Sequence, residues 1–227
     1  MNLLKKISLW IICIFLPLYA NASAAEKSSL HNGVSDYDAV HKLVVSERIY
    51  RVTHRNAELA ECYSDDAQIH TSWQSGGKDS FVGKTTVESA EALPIVNRCN
   101  PPLINLKGNK ALVEYPMTTT REVRVNKELA VLTSYMVLIY RIEKRNDVWK
   151  IIDMYTINEY DTLSPVIPGT DLHIDYEQIK NYRPSYRWLT YVRKLAGGNI
   201  SDDLVGTDQP DAVNKIYDSG NKWLNNH

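Results

Sequence analysis

The chain has 227 residues, 44% of them hydrophobic, with 26 basic side chains against 27 acidic ones and a formal net charge of −1. This content supports a packed core, and the near balance of charge excludes a strongly basic nucleic-acid footprint or a cationic membrane-binding surface. Tyrosine is common, 14 against two phenylalanines, a bias toward apolar area that carries a hydroxyl and suits a polar-rimmed cavity.

Residues 1–24 read as a secretory signal peptide. Lys5 and Lys6 precede an apolar run from Ile7 to Tyr19, and Ala22-Ser23-Ala24 supplies a small-x-small cleavage site. The run, about 13 residues, is too short for a bilayer span. The mature chain is therefore expected in the periplasm or outside the cell, free of the membrane after cleavage. Removing Lys5 and Lys6 from the 26 basic residues leaves 24 against 27 acidic. Cys13 is lost with the leader, and Cys62 and Cys99 remain, either bridged, as export permits, or as two buried thiols.

Residues 25–34 form a short polar leader. "SDYDAVHKLVVSERIYRVTHR" follows as a helix, with Ser35 and Asp38 in a capping-box arrangement and Val40, Leu43, Val44, Ile49 and Val52 along one stripe. Asn56 caps a second short helix, "AELAECYSDD", and "AQIHTSWQ" is a strand. "TTVESAEALPIVNRC" has helical character that Pro94 ends or kinks. After Pro101-Pro102 come strands: "LINLK", then "KALVEYPMTTTREVRV", "ELAVLTSYMVLIYRIEK" and "VWKIIDMYTINEY". Turns at Gly108-Asn109, Asn126-Lys127 and Arg145–Asp147 join them into an antiparallel meander. Pro116 inside one strand requires an edge or a bulge. The early helices are the available cover for the sheet, so residues 35–162 read as one α+β domain, a bent sheet on N-terminal helices enclosing a conical hollow. Residues 163–227 read as a helical extension packing on it, with a Pro-rich connection, a helix in "RPSYRWLTYVRKLAGG" and a last one from Pro210 to Leu224.

Residues 39–160 resemble the SnoaL-like branch of the NTF2-like superfamily. The resemblance rests on the helices-first order, the "YSDDA" corner, "VGK", and the hairpin series ending in "DVWKIIDMYTINEYD". "SWQSGGKDSFV", "RPSYRWLTYV" and "DLVGTDQP" are similar to strings of one subgroup, which extends the likeness into the tail. The resemblance implies a cone with a small-molecule pocket, no metal and no organic cofactor, and a sheet face that serves in a homodimer. Its best-understood members, dehydratases and isomerases of the scytalone dehydratase type, move protons with a histidine, an aspartate and tyrosines. The tyrosine–aspartate pair of their first helix falls at Arg51 and Val52 here, with Tyr50 one place away, and their histidine falls at Asn97.

Among the residues themselves, His54 ends the first helix, where it serves either as a general base or simply as a cation at the negative helix end. His70 lies on the first strand, with Ser72 and Gln74 on its face and Ile69, Thr71 and Trp73 on the other. Asp153 interrupts the apolar run "WKIIDMYTI". Strict alternation puts Ile151, Asp153, Tyr155 and Ile157 on one face, next to Tyr135 of the adjacent strand. A carboxylate among apolar walls gains proton affinity; a salt bridge to Arg121 or Arg141 is the plain alternative. An inward Arg121 can grip a carboxylate or enolate, while an exposed face carries Glu114, Arg121 and Arg124 without cost. Trp73 is either a wall of the pocket or core, as is Trp149. No metal-ligand spacing, nucleophile elbow or phosphate loop occurs.

Three readings result. In a lyase or isomerase, His70 or Asp153 moves a proton beside a carbonyl, with His54 the other candidate base. Tyr50 and Tyr135 then hydrogen-bond the oxyanion, and Arg121, Tyr155 and Trp73 hold the substrate. In a binding module the same hollow carries a small apolar molecule. In a structural unit the cone is filled and the sheet dimerises.

Overall fold

Helix α1, Asp36–Val52, starts where the Ser35 hydroxyl accepts the Asp38 N–H at 3.1 Å, as the capping box predicts. In the computed structural model, which describes residues 35–72, 74–83 and 93–226, α1 buries Val40 and Val44 against the sheet. The far end of its predicted stripe behaves differently. Ile49 is exposed, and Val52 borders a cavity rather than the core. Residues 1–34, where the sequence pattern predicts a signal peptide and leader, Trp73 and the stretch 84–92 lie outside the described residues.

Helix α2 is short, Asn56–Glu61, and the chain enters strand β1 already at Tyr63 (Tyr63–His70). The "YSDD" that the sequence pattern joins to the helix is strand. Tyr63 and Ala67 turn into the core, while Asp65 and Asp66 stay outside, paired with Lys78 and Arg145. A short β2, Ser75–Gly77, and a single helical turn α3, Lys78–Phe81, follow. Ile95–Cys99, directly after Pro94, is strand β3, and β4 is Leu103–Lys107.

The three long strands are β5 (Lys110–Val125), β6 (Glu128–Arg145) and β7 (Val148–Pro165). Two-residue turns join β5 to β6 and β6 to β7, with φ positive at Asn126 and Lys127 and at Asn146 and Asp147. That is the backbone whose twist matches paired strands. The sheet runs β2-β1-β7-β6-β5-β3, with β4 also on β5, and every pairing is antiparallel except β1 with β7. Pro116 is neither on an edge nor at a bulge. It falls where the outer partner of β5 changes from β3 (Cys99 opposite Met117) to β4 (Leu103 opposite Glu114). The missing N–H meets a corner that asks for no donor, and the Pro116 carbonyl takes the Asn100 N–H at 2.9 Å.

Register shifts between β6 and β7, one at Arg141/Ile142 and one at Tyr135/Met136, bend the sheet. Its concave face is covered at one end by α1 and at the other by the extension, where α4 (Tyr176–Ile179) and α5 (Arg187–Leu195) pack Ile179, Tyr191 and Val192 on Val123, Val125 and Leu132. The convex face is covered by α6, Pro210–Asn225, whose Leu224 meets Leu112, Ile139 and Ile157. The result is the mixed α+β cone with a helical C-terminal part. The two tail strings lock together. Arg183 pairs with Asp208 at 2.6 and 2.8 Å and reaches the Leu204 carbonyl at 2.7 Å, while the Ser185 hydroxyl donates to Asp208 at 2.6 Å. The loop between them extends β7, since Asn158 and Gly206 form a parallel bridge.

Candidate functional site: a cavity under the concave face

Between α1 and α5 the concave face is left uncovered and encloses a cavity of about 240 Å³. This is below the range of roughly 300–1,000 Å³ usual for drug-sized ligands, so it suits one small molecule. Three methionines, Met117, Met136 and Met154, form its apolar wall, one from each long strand. Its polar groups include Arg48, Arg51, His54, Asn97, Thr119, Arg121, Ser134, Thr156 and Arg193. The described lining thus holds four arginines and no carboxylate.

Arg48 is committed to the protein. The fully buried Glu47 carboxylate takes both arms of its guanidinium, and also accepts the hydroxyls of Tyr63 at 2.7 Å and Tyr140 at 2.9 Å. Burial works against the Arg48 charge, yet Glu47 together with Tyr140 and Tyr63 holds its proton affinity well above the ordinary value. Arg51 donates to the Phe81 carbonyl at 3.1 Å and lies 4.3 Å over the Phe81 ring, its proton affinity lowered by burial and by Arg48. Asn97 accepts the Thr119 hydroxyl at 3.0 Å.

Of the sequence candidates, Arg121 and His54 reach this cavity, His54 at its rim with φ 55. Arg51, Val52 and Asn97, the positions at which the family resemblance expects a tyrosine, an aspartate and a histidine, also line it. The side chains at these three positions are not the ones that the resemblance expects.

Asp153, Tyr155 and Tyr135 lie elsewhere. Opposite β6, Arg141 faces Asp153 and Ile142 faces Ile151, so Ile152 is an extra residue and alternation slips by one. Ile151 shares the core with Met154, whereas Tyr155 and Ile157 pack on the convex side under α6. Asp153 meets Arg141 there at 3.3 Å and His70 at 3.8 Å, and His70 stacks on Tyr155 with ring centroids 4.6 Å apart. Burial raises the Asp153 proton affinity, Arg141 and His70 opposing it. His70 and Asp153 are brought together, but outside the cone. Arg141 also donates to Ser219 of α6 at 2.7 Å, so the group clasps that helix. Tyr135 is 40% exposed and stacks on Tyr160. Tyr50 is half-buried against the core under the Arg55 guanidinium, 4.4 Å from its ring centre. Trp73 lies outside the described residues. The bridge between Cys62 and Cys99 is absent: both are free thiols, Cys62 donating to the Glu58 carbonyl and Cys99 on β3. Among the described residues no three His, Cys, Asp or Glu side chains group to hold a metal, and no helix is long and apolar enough to cross a membrane.

Sequence reasoning missed Glu47, Arg48 and Arg193. The first two sit inside an ordinary amphipathic helix, and Arg193 reads, as the alternative to Val192, as part of the packing stripe of the tail helix. The one available signal was the adjacency of Glu47 and Arg48 beside Val44, an ion pair next to a core position.

A cone of bent sheet with its hollow walled by the first helix and three long strands defines a class of small-molecule pocket proteins. The SnoaL-like domain family matches residues 33–155, and the chain belongs to that family, within the NTF2-like superfamily. It is 22% identical over 185 residues to pea pathogenicity protein 2 of Fusarium vanettenii, covering 77% of this chain and 79% of that one. A provisionally assigned scytalone dehydratase from Novosphingobium aromaticivorans is similar at 15% identity and a TM-score of 0.47, over 60% of this chain and 95% of its own. A hexachlorocyclohexane dehydrochlorinase from Novosphingobium barchaimii is similar at 13% identity and a TM-score of 0.47, over 66% of this chain and 97% of its own.

Proposed function

We propose that the chain is an exported SnoaL-like protein whose cavity binds one small organic molecule, without a carboxylate–histidine proton relay. The observation that carries this reading is the face on which the ionisable groups lie. His70 and Asp153 meet on the convex side, whereas the described cavity lining has His54, four arginines and no carboxylate. Export rests on the leader pattern of residues 1–24 alone, and a homodimer rests on the family resemblance alone.

The test is calorimetric titration of the full chain with cyclohexanecarboxamide, a neutral compact probe. One saturable site is expected. Met136→Trp, which fills the cavity, should abolish it, and His70→Ala and Asp153→Asn should leave it unchanged. Binding that survives Met136→Trp overturns the assignment of the pocket.

A lyase or isomerase is the second reading, favoured by one observation: His54 is a non-glycine residue held at φ 55 on the cavity rim, and strain of this kind gathers at functional sites. In that reading His54 takes a proton from carbon next to a carbonyl. Deuterium exchange into cyclohexanone, followed by NMR, decides it. Accelerated exchange lost in His54→Gln supports the enzyme, and exchange at the buffer rate leaves the binding reading alone.

A further inference from the structure

We propose that Ser75, His70 and Asp153 form an acyl-transfer site on the convex side of the sheet, in which Ser75 is the nucleophile, His70 its base and the substrate a short-chain acyl ester. The site lies apart from the cavity and does not depend on the pocket reading above.

Strand β1 has β2 on one side and β7 on the other, and its last residue, His70, meets both. His70 stands directly opposite Ser75 of β2. The Thr71 N–H bonds the Gln74 carbonyl at 2.8 Å, so the next pair, His70 and Ser75, is one without backbone bonds, where side chains come closest. The Ser75 hydroxyl is accordingly 3.0 Å from His70 Nδ1. On the β7 side, His70 is in register with Tyr155 and Gln68 with Asp153. The imidazole stacks on the Tyr155 ring, and its Nε2 is 3.8 Å from Asp153 Oδ1. His70 thus spans an exposed hydroxyl and a mostly buried carboxylate.

The surroundings select the roles. Asp153 Oδ1 is buried and accepts no hydrogen bond among the described residues, which leaves an acceptor open toward the ring. Burial favours the protonated form of Asp153, while Arg141, His70 and Tyr155 favour the carboxylate. A carboxylate there draws the ring proton to Nε2 and leaves Nδ1 as the lone-pair nitrogen facing Ser75. That is the tautomer a base for serine requires. The 3.8 Å gap exceeds a hydrogen bond, and such contacts tighten once substrate is bound.

At the same pair the Ser75 N–H points away from β1, and β2 is the end strand of the sheet. It is a donor at the free edge beside the attacking oxygen, where an ester carbonyl develops negative charge. Gly76 and Gly77 follow with no side chains to shield the hydroxyl. A site this open holds little of the acyl part, which points to small acyl groups.

In the reaction Ser75 Oγ bonds to the acyl carbon while its proton passes to His70 Nδ1. The ester C–O bond breaks, and the leaving oxygen takes that proton. Water then attacks the acyl carbon, its proton passes through Nδ1 to Ser75 Oγ, and the carboxylic acid is released.

Hydrolysis of p-nitrophenyl acetate by the full chain, with peptide mass spectrometry of the quenched reaction, tests the site. The wild type should act at least about tenfold faster than Ser75→Ala and His70→Ala, and acetyl should be found on the Ser75 peptide. Asp153 is a positioning residue, so Asp153→Asn should lower kcat by about tenfold or more with KM kept, a split that a loss of fold would not give. Ser75 is exposed, so Ser75→Ala decides should His70→Ala fail to fold. Wild-type hydrolysis at the Ser75→Ala rate overturns the site. Activity lost in His70→Ala but kept in Ser75→Ala makes the imidazole the nucleophile and overturns the role of Ser75. An unchanged kcat in Asp153→Asn removes Asp153 from the site.

Discussion

The carboxylate of Asp161, near the end of β7, accepts a hydrogen bond of 2.7 Å from the backbone N–H of Leu189 in the first turn of α5. A distant side chain thereby caps the helix that brings Arg193 to the cavity, where helix N–H groups otherwise lack partners. Asp161 is 1% exposed, and burial pushes its pKa up to about 6, although the Leu189 and Trp188 N–H groups and Arg187 favour the charged form. A carboxyl whose folded pKa lies above its unfolded value of 3.8 holds the proton more tightly when folded. Its contribution to stability is fully present below 3.8 and is lost as pH rises through about 6. The shift corresponds to about 3 kcal/mol at most. Urea denaturation from pH 4.5 to 7.5 should show the wild type losing stability relative to Asp161→Asn as pH rises. Parallel profiles for the two proteins would contradict this.

The Arg183–Asp208 pair should hold the extension to the sheet. Both side chains are mostly buried, Asp208 also accepts the Ser185 hydroxyl, and Arg183 holds the Asp208 carboxyl below the usual carboxylate range. Asp208→Ala leaves a guanidinium without its counter-charge and should cost about 2 kcal/mol. Gly206→Ala should act at the same place, because a Cβ would stand 2.1 Å from the Ser185 Oγ and 2.7 Å from the Asp208 Oδ1. Limited proteolysis reads both effects as faster cleavage near residue 206. Cleavage at the wild-type rate in both variants would mean that the tail is held elsewhere.

What was legible in the sequence followed local rules. Ser35 and Asp38 mark a helix start, and Asn126-Lys127 and the turn before Val148 mark hairpins, because caps and tight turns are decided by neighbours in the chain. The faces of β7 were not legible past Ile152: a bulge adds one residue, and strict alternation then assigns Asp153 and Tyr155 to the same face as Ile151. Nothing in the string "WKIIDMY" announces that slip, which depends on how β6 and β7 bend together. Arg121 was legible only as an alternative between an inward grip and a solvated face, and Arg193 only as an alternative to Val192 on the packing stripe of its helix, since which of them reach the cavity depends on how the extension packs over the far end of β5 and β6.

Glu47 should be the costliest single residue to neutralise. It is fully buried and accepts four hydrogen bonds, two from Arg48 and one each from Tyr63 and Tyr140, while burial pushes both tyrosines well above their ordinary range and keeps them as hydroxyl donors. Glu47→Gln leaves the Arg48 cation buried without a counter-charge, at a cost of about 3–5 kcal/mol. Tyr63→Phe removes one hydrogen bond and keeps the ion pair, at a cost of about 1 kcal/mol. Equilibrium denaturation compares the two. A Glu47→Gln protein as stable as Tyr63→Phe would show that Arg48 finds water or another partner.

The free thiols have a chemical signature of their own. Burial, with Glu47 adding to it, pushes the Cys62 thiol from 9.0 up to about 12, and burial raises Cys99 as well. The thiolate is the reacting form, so at pH 8 native Cys62 carries about a thousandfold less of it than an ordinary thiol. Iodoacetamide at pH 8 should therefore modify Cys62 in the folded chain at least about 100-fold more slowly than in urea. Cys99, half-buried on β3, should be slowed less. Peptide mass spectrometry distinguishes the two sites. Equal rates at Cys62 in native and unfolded protein would mean that the α2–β1 corner opens readily, and a peptide joining Cys62 to Cys99 in the unreduced protein would overturn the free-thiol state itself.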